Sequence, residues 1–89
     1  MATAYNVELT ARARKQYKAL DPVIRQRVRA ALRELANDPA PATVKALSGQ
    51  GNLLRIRVGD WRVIYRIDHQ RVLVIVMDIG HRSTVYRHR

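Results

Sequence analysis

Four arginines flank a short turn: Arg55 and Arg57 precede Gly59-Asp60, and Arg62 and Arg66 follow it. A guanidinium stays charged throughout the biological pH range, and its planar fork of donors matches phosphate oxygens two at a time. Gly-Asp between two alternating apolar runs predicts a two-residue β-hairpin turn. That turn sets Val58 against Trp61, Arg57 against Arg62, Ile56 against Val63 and Arg55 against Ile64. Side chains alternate across a strand. One face therefore carries Leu54, Ile56, Val58, Trp61, Val63, Tyr65 and Ile67, and the other carries Arg55, Arg57, Arg62 and Arg66. Like charges placed directly opposite destabilise a sheet by up to about 1 kcal/mol per pair. A polyanion relieves that repulsion, and phosphate fits the fork geometry.

The stretch from Gly80 to Tyr86 adds His81, Arg82 and Tyr86. Arg82 and Tyr86 are four apart, so they share a side whether the segment is helical or extended. If the last strand ends beside the hairpin, both approach the same groove. Such a set suits RNA scission, in which a ribose 2′-hydroxyl attacks the adjacent phosphate. The hydroxyl must lose its proton, the phosphorane charge must be stabilised, and the leaving oxygen must gain a proton. Arginines supply the stabilisation but cannot shuttle protons, so Tyr86 or His81 must do that. A cluster of cations favours the phenolate of a nearby tyrosine. A plainer account fits the same residues: Tyr86 packs, His81 sits in a solvated turn, Trp61 belongs to the core, and the hairpin binds RNA without reaction.

Composition narrows the class. The 89 residues predict a single domain over 1–89, with 47% apolar content and a core that is aliphatic, because there is no Phe, one Trp and four Tyr. Seventeen basic against seven acidic residues give +10, and fourteen of the seventeen are Arg. Charge of that sign and kind points to nucleic acid. The absence of cysteine excludes disulfides and thiolate metal sites. His69, His81 and His88 have no ligand-like spacing, and no glycine-rich phosphate loop follows a strand, so neither a metal nor a cofactor is expected. No apolar run approaches the ~20 residues of a membrane span. A cytoplasmic protein without membrane contact is the expectation.

The elements that must position these groups follow from periodicity. Tyr5 to Leu9 alternates and reads as a strand with Tyr5, Val7 and Leu9 inward. Thr10 can cap a helix with Ala13, Tyr17 and Leu20 on one stripe. Asp21-Pro22 restarts a second helix, which places Ile24, Val28, Leu32 and Leu35 on one face with Ala31 beside them, and Arg25, Arg29 and Arg33 on another. Asn37-Asp38-Pro39 stops it. Residues 38–52 read as a loop. After the hairpin, Asp68 to Arg71 reverses the chain into Val72–Met77, apolar on both faces as in a central strand. Gly80 ends that strand, and a short basic tail follows. The order is β-α-α-β-β-β: an α+β domain, with a helical hairpin packed on a mostly antiparallel twisted sheet.

Taken in order, Tyr5-x-Val7, Ala13, Leu20, Leu35-x-x-Asp38-Pro39, Lys45-x-Leu47-x-Gly49, the hairpin from Arg55 to Tyr65, and Gly80-His-Arg82-x-x-Val-Tyr86 resemble the RelE/ParE superfamily of bacterial toxins. The hairpin and the ending are similar to its RelE branch. The resemblance runs from residue 5 to 87. It implies a microbial-ribonuclease-like fold and ribosome-dependent cleavage of messenger RNA in the decoding site. It also implies an acidic, RelB-like antitoxin that wraps the toxin in a hetero-oligomer and blocks its basic groove. By the same resemblance Arg62 stabilises the phosphate, Arg82 lies near the scissile phosphate, and Tyr86 activates the nucleophile or stacks on RNA. Arg55, Arg57, Arg66 and Lys45 are the residues expected to bind the RNA backbone. Arg55 and Arg57 stand where the best-studied member has lysines. Because arginine does not exchange its proton, acid–base roles held by those lysines do not transfer, and His81 becomes the candidate proton donor. Two other readings stay open: a ParE-like inhibitor of DNA gyrase without nuclease activity, and a non-catalytic RNA-binding module.

Overall fold

In a computed structural model, residues 4–41 and 53–81 and the backbone of 45–46 are described. The chain runs β1 (Asn6–Leu9), α1 (Ala11–Lys18), α2 (Pro22–Asn37), β2 (Lys45–Ala46), β3 (Leu54–Val58), β4 (Trp61–Asp68) and β5 (Leu73–His81). The strands form one sheet in the order β1-β5-β4-β3-β2. β1 runs parallel to β5, and the other neighbours are antiparallel.

Local chemistry explains each boundary. Thr10 is extended and caps α1, its Oγ1 accepting from the Ala13 N–H at 3.1 Å. Pro22 opens α2 with its fixed φ and missing donor, although Asp21 makes no side-chain capping bond. Pro39 follows Asp38, whose N–H closes the last turn onto the Glu34 carbonyl at 2.9 Å. The expected stripes face the sheet: Ala13 from α1, Leu20 just past its end, and Val28, Leu32 and Leu35 from α2 are buried against Ile56, Val58, Val63, Tyr65, Val74, Val76 and Ile79. Burial of an aliphatic side chain of this size contributes roughly 1.5–3 kcal/mol. Tyr65 is fully buried, and its hydroxyl donates to the Pro39 carbonyl at 2.7 Å.

The hairpin pairs as its turn requires, from Val58↔Trp61 through Arg57↔Arg62 and Ile56↔Val63 to Arg55↔Ile64. Gly59 takes φ +62°, and a β-carbon there would sit 3.3 Å from the Arg27 guanidinium of α2. The turn therefore needs glycine for its backbone, and a β-carbon would also press on the Arg27 guanidinium.

Three expectations change. Within the segment expected to be loop, Lys45 and Ala46 form a two-residue strand on the edge of β3. Val72 belongs to the preceding turn, with φ 54°. The last strand starts at Leu73 and runs one residue past Gly80, to His81, instead of ending at Gly80. Gly80 and His81 lack the apolar pattern of a strand, but backbone pairing with Arg62 and Trp61 holds them in the sheet.

Candidate nucleic-acid interface

The sheet places the predicted cations unequally. Arg57 on β3, Arg62 on β4 and Gly80 on β5 form one row across three strands. Directly opposed β-carbons lie about 4.5–5.5 Å apart, so the Arg57 and Arg62 side chains leave the sheet side by side. Arg62 is only 8% exposed, whereas Arg57 is exposed. Gly80 adds no side chain to this row. Because arginine cannot discharge by losing its proton, that burial fixes a permanent positive charge in the middle of the sheet.

Arg55 is half-buried and lies in the next row but one, opposite Ile64, with Lys45 of β2 pairing to it on the other side. Ile64 falls on the arginine face by alternation and is itself buried, at 9% exposure. Arg66 is exposed and pairs with Ile75, four positions along β4 from Arg62, which is about 13 Å at the usual strand rise. The structure thus brings Arg57 and Arg62 together, keeps Arg55 close, and sets Arg66 apart.

His81 is the last residue of β5, not a solvated turn residue. It pairs across the sheet with Trp61, and the two rings meet edge to face, 5.5 Å between centroids and 89° between planes. Trp61 is itself packed against the hydrophobic core. An anchored indole thus holds the imidazole one residue beyond the Arg62–Gly80 pair and on the opposite face of the sheet, so His81 does not join Arg57 and Arg62 as expected. Arg82, Tyr86 and His88 lie outside the described residues. The third histidine, His69, is in the β4–β5 turn, where its Nδ1 lies 2.9 Å from the Tyr5 hydroxyl. Among the described residues no group of three or more His, Cys, Asp or Glu could hold a metal ion. Among them, too, no helix is long and apolar enough to cross a membrane.

One cluster escaped the sequence reading. β1 pairs with β5 only as far as Leu9↔Val76. Beyond that point Gln16 of α1 reaches the strand: its Oε1 accepts from the Ile79 N–H at 2.8 Å, and its Nε2 donates to Asp78 Oδ1 at 2.6 Å. Arg12 donates to the same carboxylate oxygen at 3.3 Å. No periodic pattern marks a glutamine whose partners are more than sixty residues away; only the fold brings them together.

Comparison with known proteins agrees with this geometry. Residues 7–86 match the family described as the ParE toxin of type II toxin-antitoxin systems, parDE. The chain belongs to this ParE/RelE family of toxins. It is 27% identical over 84 residues to toxin RelG of Mycobacterium tuberculosis, spanning 93% of this chain and 97% of that one. It is 28% identical over 86 residues to the putative toxin RelE1 of Methanocaldococcus jannaschii, spanning 93% and 96%. Among solved structures, the toxin-antitoxin complex RelBE2 of M. tuberculosis superposes with a TM-score of 0.82 at 27% identity, covering 93% of this chain and 97% of that chain. The isolated RelE toxin of E. coli gives 0.79 at 26% identity, covering 94% and 93%.

Proposed function

We propose that this chain is a RelE-type toxin that cleaves messenger RNA in the decoding site of the ribosome and so arrests translation. The observation that carries the reading is the Arg57–Arg62–Gly80 row, a fixed buried charge beside an exposed one on one face of the sheet. Positive charge held in place before substrate arrives stabilises a phosphorane without further reorganisation. In this reading the ribose 2′-hydroxyl gives its proton to Tyr86 and attacks phosphorus. Arg62 and Arg82 stabilise the equatorial oxygens, and the departing 5′-oxygen takes a proton from solvent, leaving a 2′,3′-cyclic phosphate; His81, held against Trp61 on the other face, stands outside this scheme. Arg55, Arg57, Arg66 and Lys45 hold the RNA backbone on either side. No metal or cofactor enters the scheme.

The relatives named RelE and RelG, and the neighbour solved as a RelBE2 complex, support a cognate antitoxin as partner. An acidic segment that folds on contact suits a chain of charge +10. Ribosomal action places the toxin in the cytoplasm.

A second reading has one observation in its favour: the matched family carries the ParE description. Under it the chain poisons DNA gyrase and leaves RNA intact. Induction without antitoxin separates the two. The nuclease reading expects new messenger ends inside translated codons and an early collapse of protein synthesis. Intact messages with a DNA-damage response favour gyrase, and intact messages with salt-sensitive RNA binding leave a docking module.

A further inference from the structure

We propose that Gln16 is a positioning residue for the RNA face: its carboxamide locks the end of β5 in the one register that sets Gly80 opposite Arg62 and His81 opposite Trp61. This inference rests on reading that face as the RNA site.

The register of β5 is irregular where it matters. Ile64 pairs with Asp78 but Tyr65 pairs with Val76, so Met77 is an extra residue, a bulge. Everything beyond the bulge, including Gly80 and His81, depends on where that extra residue sits. A slip by one position would set Ile79 or His81 against Arg62 and turn side chains to the opposite face.

A neighbouring strand normally holds such a register, but β1 ends its pairing at Val76. α1 replaces it. Thr10 donates its N–H to the Val76 carbonyl at 3.0 Å, the last ladder-like bond. Gln16 then binds both residues that follow the bulge, accepting from the Ile79 N–H and donating to the Asp78 carboxylate. That carboxylate is only 15% exposed, and Arg12 also donates to it. The two ends of a primary amide are a donor and an acceptor, and both are used here. Glutamate has the reach but lacks the donor, and asparagine is one methylene shorter. Gln16 touches neither Arg62 nor His81, so its effect on them travels through the strand.

The test uses the full chain with Gln16→Ala, Gln16→Glu, Asp78→Asn and the Gln16→Glu/Asp78→Asn double variant. The double variant inverts the pair: the carboxylate introduced at position 16 accepts from the Ile79 N–H and from the new amide at position 78. Two readouts are taken: cross-strand NMR contacts between Arg62 and Gly80 with the Trp61-induced shift of the His81 ring protons, and ribosome-dependent cleavage. The expected result is loss of the Arg62–Gly80 contact and of the His81 shift in Gln16→Ala and Gln16→Glu. Cleavage falls by about 10²-fold, the scale of an ångström-level misplacement, and the double variant restores both readouts. Unchanged NMR signatures in Gln16→Ala and Gln16→Glu overturn the proposal, as does a double variant that fails to restore them; Asp78→Asn, which keeps an acceptor for the Gln16 amide, should change little. Should a single variant not fold, the double variant alone decides. If the wild type cuts no message, the functional reading fails while the NMR comparison still judges the role of Gln16.

Discussion

The Tyr65 hydroxyl donates to the Pro39 carbonyl at 2.7 Å, tying the middle of the central strand to the residue just past the end of α2. Burial of the ring, and secondarily the Asp38 carboxylate, push this phenol up from 10.0 to about 12. A group whose folded pKa is raised keeps its proton where the unfolded chain releases it. Its contribution is therefore complete below pH ~10 and is lost as pH rises towards about 12. Tyr65→Phe should cost about 1 kcal/mol near pH 8, the net worth of one hydrogen bond. It should also remove this alkaline loss, so that the stability gap to wild type narrows and then reverses. Urea unfolding of both proteins from pH 8 to 11.5 measures the gap; a constant difference across that range contradicts the assignment.

At Gly59 two penalties are separable. Its φ of +62° costs an L-residue roughly 1–2 kcal/mol, and an added β-carbon also meets Arg27 at 3.3 Å. Gly59→Ala should destabilise more in the wild-type background than alongside Arg27→Ala, where only the backbone penalty remains. Equal costs in the two backgrounds would show that the guanidinium yields freely.

Arg57 and Arg62 should respond differently to truncation. Arg57→Ala removes a like charge directly opposite another, so stability should hold or rise by up to about 1 kcal/mol. Binding to RNA should weaken, and its salt slope should fall by about one. Arg62→Ala should instead lower cleavage by about 10²–10³-fold, as loss of one preorganised donor does. Arg62→Lys keeps a charge without the fork and should rescue only part of it. Thermal melts, RNA titrations at several salt concentrations and single-turnover cleavage distinguish these outcomes.

For His81 the expected signature is packing, because its imidazole meets Trp61 on the face opposite Arg62. His81→Ala should lower thermal stability while single-turnover cleavage stays within about tenfold of wild type, short of the roughly 10²–10⁴-fold that loss of general acid–base help produces. A larger loss of cleavage with the fold retained would return the imidazole to the role of proton donor.

Much of this molecule is readable from its residues, and the reasons are local. Gly59-Asp60 imposes a two-residue turn, so every pair from Val58↔Trp61 to Arg55↔Ile64 follows from counting outward. Thr10, Pro22 and the stripe through Val28, Leu32 and Leu35 announce both helices in the same way. Strand order is not local, because nothing in Tyr5–Leu9 says that it will lie beside the last strand. β2 is too short for any period to register. The extension of β5 through Gly80 and His81 comes from pairing with β4 and leaves no apolar signal. Burial also splits arginines that look alike in sequence: Arg62 is enclosed, while Arg57 and Arg66 reach water. Arg82 and Tyr86 lie outside the described residues, so their convergence on the row rests on the resemblance to RelE-type toxins.

The pairing of the first strand with the last has a temporal consequence. β5 is laid between β1 and β4, so the sheet cannot close until residues 73–81 have been synthesised and have emerged. The Arg57–Arg62–Gly80 row is incomplete for the same reason, since Gly80 belongs to that insertion. A growing chain thus carries the hairpin arginines before it has the surface they share with the last strand. That surface is finished in one late step.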